Sequence, residues 1–194
     1  MTTDPMLWQW SHRFDPSALH LADRHYNRQK PGTPQFVPPG RCMVLYAATM
    51  TGKAFWVTSW PFAEYTKHAW AGSWVCSAFR NENADVASGM IRSALACTVD
   101  AFGLSAPGMV TFVNRQRVRP TIVRGAKVWG WTFRKAGFCD VGETKGGLLA
   151  LYIPASEMPA PRRPLSPLEA AASIRVSSKS PEMPLPFHQG NLAP

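Results

Sequence analysis

The chain has 194 residues, 45% hydrophobic and 11% aromatic, which is enough for one domain with a substantial core. Its formal charge of +9 and pI near 9.8 predict attraction to polyanions, with nucleic acid first and acidic cofactors such as nucleotides or coenzyme A next. No apolar run approaches the roughly 18 residues of a membrane span, no basic and apolar leader opens the chain, and the four cysteines form no CxxC pair, so a cytoplasmic protein with free thiols and no membrane or zinc-knuckle chemistry is expected.

Asp15-Pro16 pairs an N-cap with a first-turn proline and opens a helix through "SALHLADRHY" that Pro31 and Gly32 end. "CMVLYAAT", "GKAFWVTSW" and "GSWVCSAFRN" are β-branched and aromatic strands, the first two joined through Thr51-Gly52, and together they predict an antiparallel meander. "DVASGMIRSALACTVDAFG" is an amphipathic helix capped by Asp85 and ended by Gly103, with Val86, Met90, Ile91, Leu95 and Val99 at three- and four-residue steps. "GMVTFVN" then predicts a buried strand, "AKVWGWTFRKAG" a short helix, and "FCDVG" and "GGLLALYIP" two more strands. The order is that of an α/β protein with a mixed, mostly antiparallel sheet flanked by helices.

Composition changes near Pro154. Residues 157–194 contain eight prolines, no Trp or Tyr and a single Phe, which predicts a mostly disordered tail after a folded domain at 1–156. Within that tail, Ser166, Pro167 and Glu169 in "SPLEAAASIRV" stand as N-cap, first-turn proline and third-position acid of a short helix.

The element order, with Ala136, Gly137 and Phe138 between the last helix of the domain and the closing hairpin, resembles the GNAT superfamily of N-acetyltransferases over residues 15 to 153. The resemblance implies a GNAT-like fold and a backbone loop for the coenzyme A pyrophosphate between Arg80 and Ser88, at a helix N-terminus. "RNENADVAS" stands there without the superfamily's glycines, so acetyl-coenzyme A is the less expected cofactor, while Arg80 and Ser88 still mark the anion-binding position. The chain is also similar to the phage-type, Mom-like DNA-modification branch of this fold. His25-Tyr26 in "DRHYNR" matches its His-Tyr pair, Arg80 in "CSAFRNE" its strand arginine, and Asn114 stands where its strand delivers a carboxylate. That likeness implies modification of the exocyclic amine of adenine in phage DNA, carbamoylmethylation being one form, with an iron requirement and catalytic roles at His25, Tyr26, Arg80 and Asn114.

The residues point toward DNA independently. Residues 114 to 135 hold Arg115, Arg117, Arg119, Arg124, Lys127, Arg134 and Lys135 with no acid, and Trp129 and Trp131 lie among them. Arginine forks suit phosphates, and an indole can stack on a base for about 1–3 kcal/mol. A second basic cluster holds Arg24, Arg28, Lys30 and Arg41. His25 reads equally as a general base or metal ligand and as a capping residue favoured in its protonated form by the helix dipole; Tyr26 reads as a proton donor, a stacking surface or a core aromatic. Adjacent helical residues point about 100° apart, so both line one cleft only if the helix ends early, as Pro31 suggests. Glu82 is expected to pair with an arginine, and Tyr152 to pack. No Ser-His-Asp arrangement, P-loop or HExxH motif occurs. The leading expectation is therefore a DNA-modifying group transferase. Its rivals are a coenzyme A-dependent N-acyltransferase of a small amine and a non-catalytic DNA-binding module, and the donor, the metal and the oligomeric state stay open.

Overall fold

A computed structural model describes residues 5–60, 69–105 and 107–177. Strands β1 (Gln9–Ser11), β2 (Arg41–Ala48), β3 (Lys53–Trp60), β4 (Trp74–Glu82), β5 (Met109–Val113), β8 (Cys139–Glu143) and β9 (Leu149–Ile153) form a seven-stranded sheet in the order β1-β2-β3-β4-β5-β9-β8, while β6 (Thr121–Val123) and β7 (Ala126–Val128) form a separate hairpin. Every neighbouring pair in the large sheet is antiparallel except β4 and β5. Helices α1 (Pro16–Asp23), α2 (Ala87–Phe102), α3 (Trp131–Lys135) and α4 (Pro167–Ser177) flank it.

Strands β2 and β3 are apolar at nearly every position because both of their faces are covered. Val44, Tyr46, Phe55 and Val57 pack with Ala18, Leu21 and Ala22 of α1, and the opposite face places Met43, Leu45 and Trp56 with Ile91, Ala94 and Leu95 of α2. Burial of each large side chain contributes roughly 1.5–3 kcal/mol. A buried chain of hydroxyls also ties β3 to α2: the Trp56 indole donates to Thr58 at 2.7 Å, Thr58 and Thr98 share a bond of 2.9 Å, and Thr98 donates back to the Ala94 carbonyl.

Two sequence expectations change in detail. Residues 126–128 belong to β7, so α3 starts only at Trp131; the preceding Gly130 has φ +65, and an added Cβ would stand 2.3 Å from the buried Leu151 side chain. Helix α2 begins one residue after Val86 with no side-chain cap, and Asp85 instead accepts from the adjacent Val86 N–H.

The predicted start of the disordered tail is corrected as well. Leu165 donates its N–H to the Trp8 carbonyl at 2.8 Å and bridges Gln9, Arg162 donates its N–H to the Ala96 carbonyl, and Pro164 is buried. Prolines here do not prevent order, because the segment needs only a few backbone bonds along α2 and β1. The predicted α4 forms with a reciprocal capping box, in which Ser166 N–H donates to Glu169 and Glu169 N–H to the Ser166 hydroxyl. Residues 178–194, the rest of the predicted tail, lie outside the described residues. No helix among the described residues is long and apolar enough to cross a membrane.

Candidate functional site

β4 and β5 share register only where Trp74, Val75 and Cys76 face Met109, Val110 and Thr111. Thr58 pairs with Cys76 and Val57 with Ala78, so Ser77 is the extra residue of a bulge in β4, the device by which a strand bends and turns away from a neighbour. Beyond it β4 follows β3 and β5 follows β9, and a cleft of about 420 Å³ opens between the parallel strands. Crevices beyond the carboxyl ends of parallel strands are common ligand sites.

The end of α1 fills the crotch of this splay. Tyr26 donates its hydroxyl to the Phe112 carbonyl on β5 at 3.0 Å, and Asn27 donates its amide to the Ser77 carbonyl on β4 at 3.4 Å. The helix stops at Asp23, so both adjacent side chains can enter one cleft. His25 stacks on Tyr26 with centroids 4.6 Å apart, and its Nδ1 accepts the Asn27 N–H, which leaves the ring proton on Nε2. Burial and then the Arg80 guanidinium push His25 down to about 4. These outweigh the helix-end dipole, so the imidazole is neutral at pH 7 and not the cation that its position suggested. Burial raises the Tyr26 phenol.

Arg80 is oriented by a small ion network. It donates Nε to Glu82 at 2.6 Å and a terminal nitrogen to the Arg24 carbonyl at 2.8 Å, while Arg24 forks onto both oxygens of Glu82. Partial burial works to raise the Glu82 pKa, but the bonds from Arg80 and Arg24 hold it below its usual value. Glu82 is thus an ion-pair partner, as expected, and the network carries one net positive charge at the cleft edge.

The structure separates the remaining sequence candidates. Arg28 is spent internally, bonding Asp23, the Thr33 hydroxyl and the carbonyls of Thr33 and Gln35, which clamps the Pro-rich loop and removes it as a phosphate ligand. Asn114 accepts the Gln116 N–H in the turn after β5 and is outside the cleft lining, as is Ser88. Arg115 pairs with Glu143, and Arg134 pairs with Asp140. Trp129 donates its indole N–H to the Val118 carbonyl and packs, half-buried, against the core, so it anchors the chain there. Arg119 lines the cleft, Arg117 reaches the Tyr26 carbonyl at 3.4 Å, and Lys30, Arg124 and Lys127 are exposed. Trp131 lines the cleft at the start of α3, a placement readable from sequence only by recognising Gly130 as the residue that lets the helix begin so close to β9.

No Asp or Glu among the described residues lines the cleft. Nor does any group of three or more His, Cys, Asp or Glu among the described residues stand ready for one metal ion, and Cys76, the thiol in the lining, has its pKa raised by full burial. The described residues therefore do not fit an iron site. For a coenzyme A pyrophosphate, Arg80 and Ala87 at the N-terminus of α2 border the cleft, but residues 80–88 hold no glycine and the helix has no side-chain cap. A second cavity of about 1000 Å³ lies on the α1 side, bounded by Phe36, Phe55, Trp60 and Lys30. His25, Ser77 and Ala78 form a wall common to both cavities. Comparison with protein-family models, curated proteins and solved structures gives no match to this chain.

Proposed function

We propose that this protein is a GNAT-like group transferase that modifies DNA, adding a small acyl-like or carbamoylmethyl group to the exocyclic amine of adenine. The observation that carries the reading is the splay cleft itself: it is lined by Arg80, Arg119, neutral His25 and Trp131 and, among the described residues, by no carboxylate, and it shares a wall with a second cavity. Two cavities meeting at one wall suit a donor and an acceptor, and the net positive charge left by Arg80, Arg24 and Glu82 at the cleft edge, with Arg119 in the lining, favours an anionic donor and the negative charge that develops as the group transfers. In the reaction the amine nitrogen bonds the donor carbon, the leaving group departs with its electron pair, and the amine gives up a proton. A neutral His25 can accept that proton, although its low basicity makes it a weak base. An adenine amine inside a stacked duplex is out of reach, so the base must be extruded, and Trp131 offers it an aromatic surface.

The test is mass spectrometry of nucleosides from DNA of cells expressing the protein, its Arg80→Ala variant and Arg80→Lys. A new adenosine mass present with the wild type and lost in Arg80→Ala supports the reading and identifies the group. A second reading, a DNA-binding module without catalysis, is favoured by the missing carboxylate and by the capture of Asn114 in a turn. It predicts DNA binding with unchanged nucleosides. A coenzyme A-dependent acyltransferase of a small amine would instead be stabilised by coenzyme A and indifferent to DNA.

A further inference from the structure

We propose that the β6–β7 hairpin is the element that docks duplex DNA, entering the major groove as a two-stranded ribbon beside the cleft; the choice of DNA rests on the function proposed above. The ion pairs decide which basic residues are available. Arg24, Arg28, Arg80, Arg115 and Arg134 are each matched to a carboxylate, whereas Arg117, Arg119, Arg124 and Lys127 have no such partner among the described residues. These four lie in or next to one short arm. Within the basic run at 114–135, Arg115 and Arg134 are thus neutralised by Glu143 and Asp140, while the hairpin between them keeps its charge.

The arm is built to hold a fixed shape. Arg124 and Gly125 have φ of +49 and +80, the backbone signature of a two-residue type I′ turn, which matches the twist of its flanking strands. The Trp129 indole closes the base of the hairpin on the Val118 carbonyl at 3.1 Å, and both residues pack against the core. Directly opposed residues share a face, so Thr121 with Val128 and Val123 with Ala126 form one side, and Ile122 with Lys127 the other. Thr121 and the preceding Arg119 line the cleft, so the first side looks inward. The second side presents Lys127 and Ile122, an apolar group that is 62% exposed among the described residues.

This pattern suits a DNA groove. B-DNA's major groove, about 12 Å wide, admits a two-stranded ribbon and offers thymine methyls to an apolar side chain, while the deep, narrow major groove of duplex RNA does not. Arg124 and Lys127 would meet phosphates at the outer end of the arm, and Arg119 would meet the strand that leads into the cleft.

The experiment measures duplex DNA affinity as a function of salt for the full chain and its variants, with near-UV circular dichroism to confirm folding. Neutralising two phosphate contacts by Arg124→Ala with Lys127→Ala should reduce the slope of log K against log salt by about 2 and weaken binding about tenfold or more. Ile122→Thr should weaken binding with the slope unchanged, since an apolar contact releases no counterion. Two controls should leave the slope as it was: Arg163→Ala, exposed on the segment crossing α2, and the charge-balanced pair Arg115→Gln with Glu143→Gln. An unchanged slope in the Arg124/Lys127 variant, an equal loss in Arg163→Ala, or equal binding of duplex RNA overturns the hairpin assignment and leaves DNA modification standing. If the wild type does not bind DNA, both fall. Loss of binding in the hairpin variant together with unmodified nucleosides keeps the hairpin and removes the enzyme.

Discussion

The Tyr26 hydroxyl donates to the carbonyl of Phe112, 86 residues away in the chain, and so takes the place of a backbone partner where β4 has turned away from β5. Tyr26→Phe keeps the ring stacked on His25 but deprives that carbonyl of this donor. The expected cost is about 1 kcal/mol in urea denaturation, with a fall in transition midpoint and no change in m-value. Asn27→Ala, whose bond is longer and exposed, should cost less. Equal stability of Tyr26→Phe and wild type would show that the hydroxyl does not hold the splay.

His25 gives the stability a pH dependence with a definite sign. Its folded pKa of about 4 lies below the unfolded 6.5, so between those values the unfolded chain binds more protons. The contribution is fully present above pH 6.5 and is lost as pH falls toward 4. At 1.36 kcal/mol per pKa unit the whole shift corresponds to about 3 kcal/mol, and solvent in the cleft reduces this to roughly 1–2. Urea midpoints at pH 7 and pH 5 should therefore differ more in the wild type than in His25→Gln; matching pH profiles would contradict the assignment of a neutral, desolvated ring.

Arg28 and Arg24 separate structure from binding. The Arg28 side chain is 9% exposed and joins Asp23 to the loop, whereas that of Arg24 is 54% exposed. Arg28→Ala should cost roughly 2–3 kcal/mol by leaving Asp23 and two carbonyls without their cation, and Arg24→Ala under about 1 kcal/mol. Neither should change the salt slope of DNA binding, since both side chains are already matched to carboxylates. A reduced slope for Arg28→Ala would return it to the interface.

Gly130 is required twice over, by its positive φ and by the approach of the buried Leu151 side chain. Gly130→Ala should destabilise the fold by roughly 1–3 kcal/mol, and pairing it with Leu151→Ala should cost less than the sum of the two single losses if the clash is the cause. If thermal denaturation instead shows additive losses, backbone strain alone is responsible.

The elements with strong periodicity or caps were legible in sequence: α1 from Asp15-Pro16, α2 from its apolar steps, and α4 from Ser166, Pro167 and Glu169. The β6–β7 hairpin was not, because three-residue strands carry too little alternation to outweigh a helix-like run through Lys127. The early end of α1 and the meeting of His25, Tyr26 and Arg80 could be argued from Pro31 and the strand order. Which arginines are free could not, since Glu82 with Arg24 and Glu143 with Arg115 meet only after folding brings distant segments together. The order of residues 157–166 was hidden by the same cause: proline content reports the missing donors of a segment, not the surface waiting to receive it.

That segment also sets when the β1 edge is covered as the chain is made. Gln9 and Trp10 leave the ribosome more than 150 residues before Leu165, whose backbone covers the outer edge of β1. Throughout that interval the nascent sheet presents an open edge to its neighbours. A pause in translation after the codons for β9 would therefore prolong exposure to strand exchange between chains on one polysome, whereas a pause after Leu165 would not.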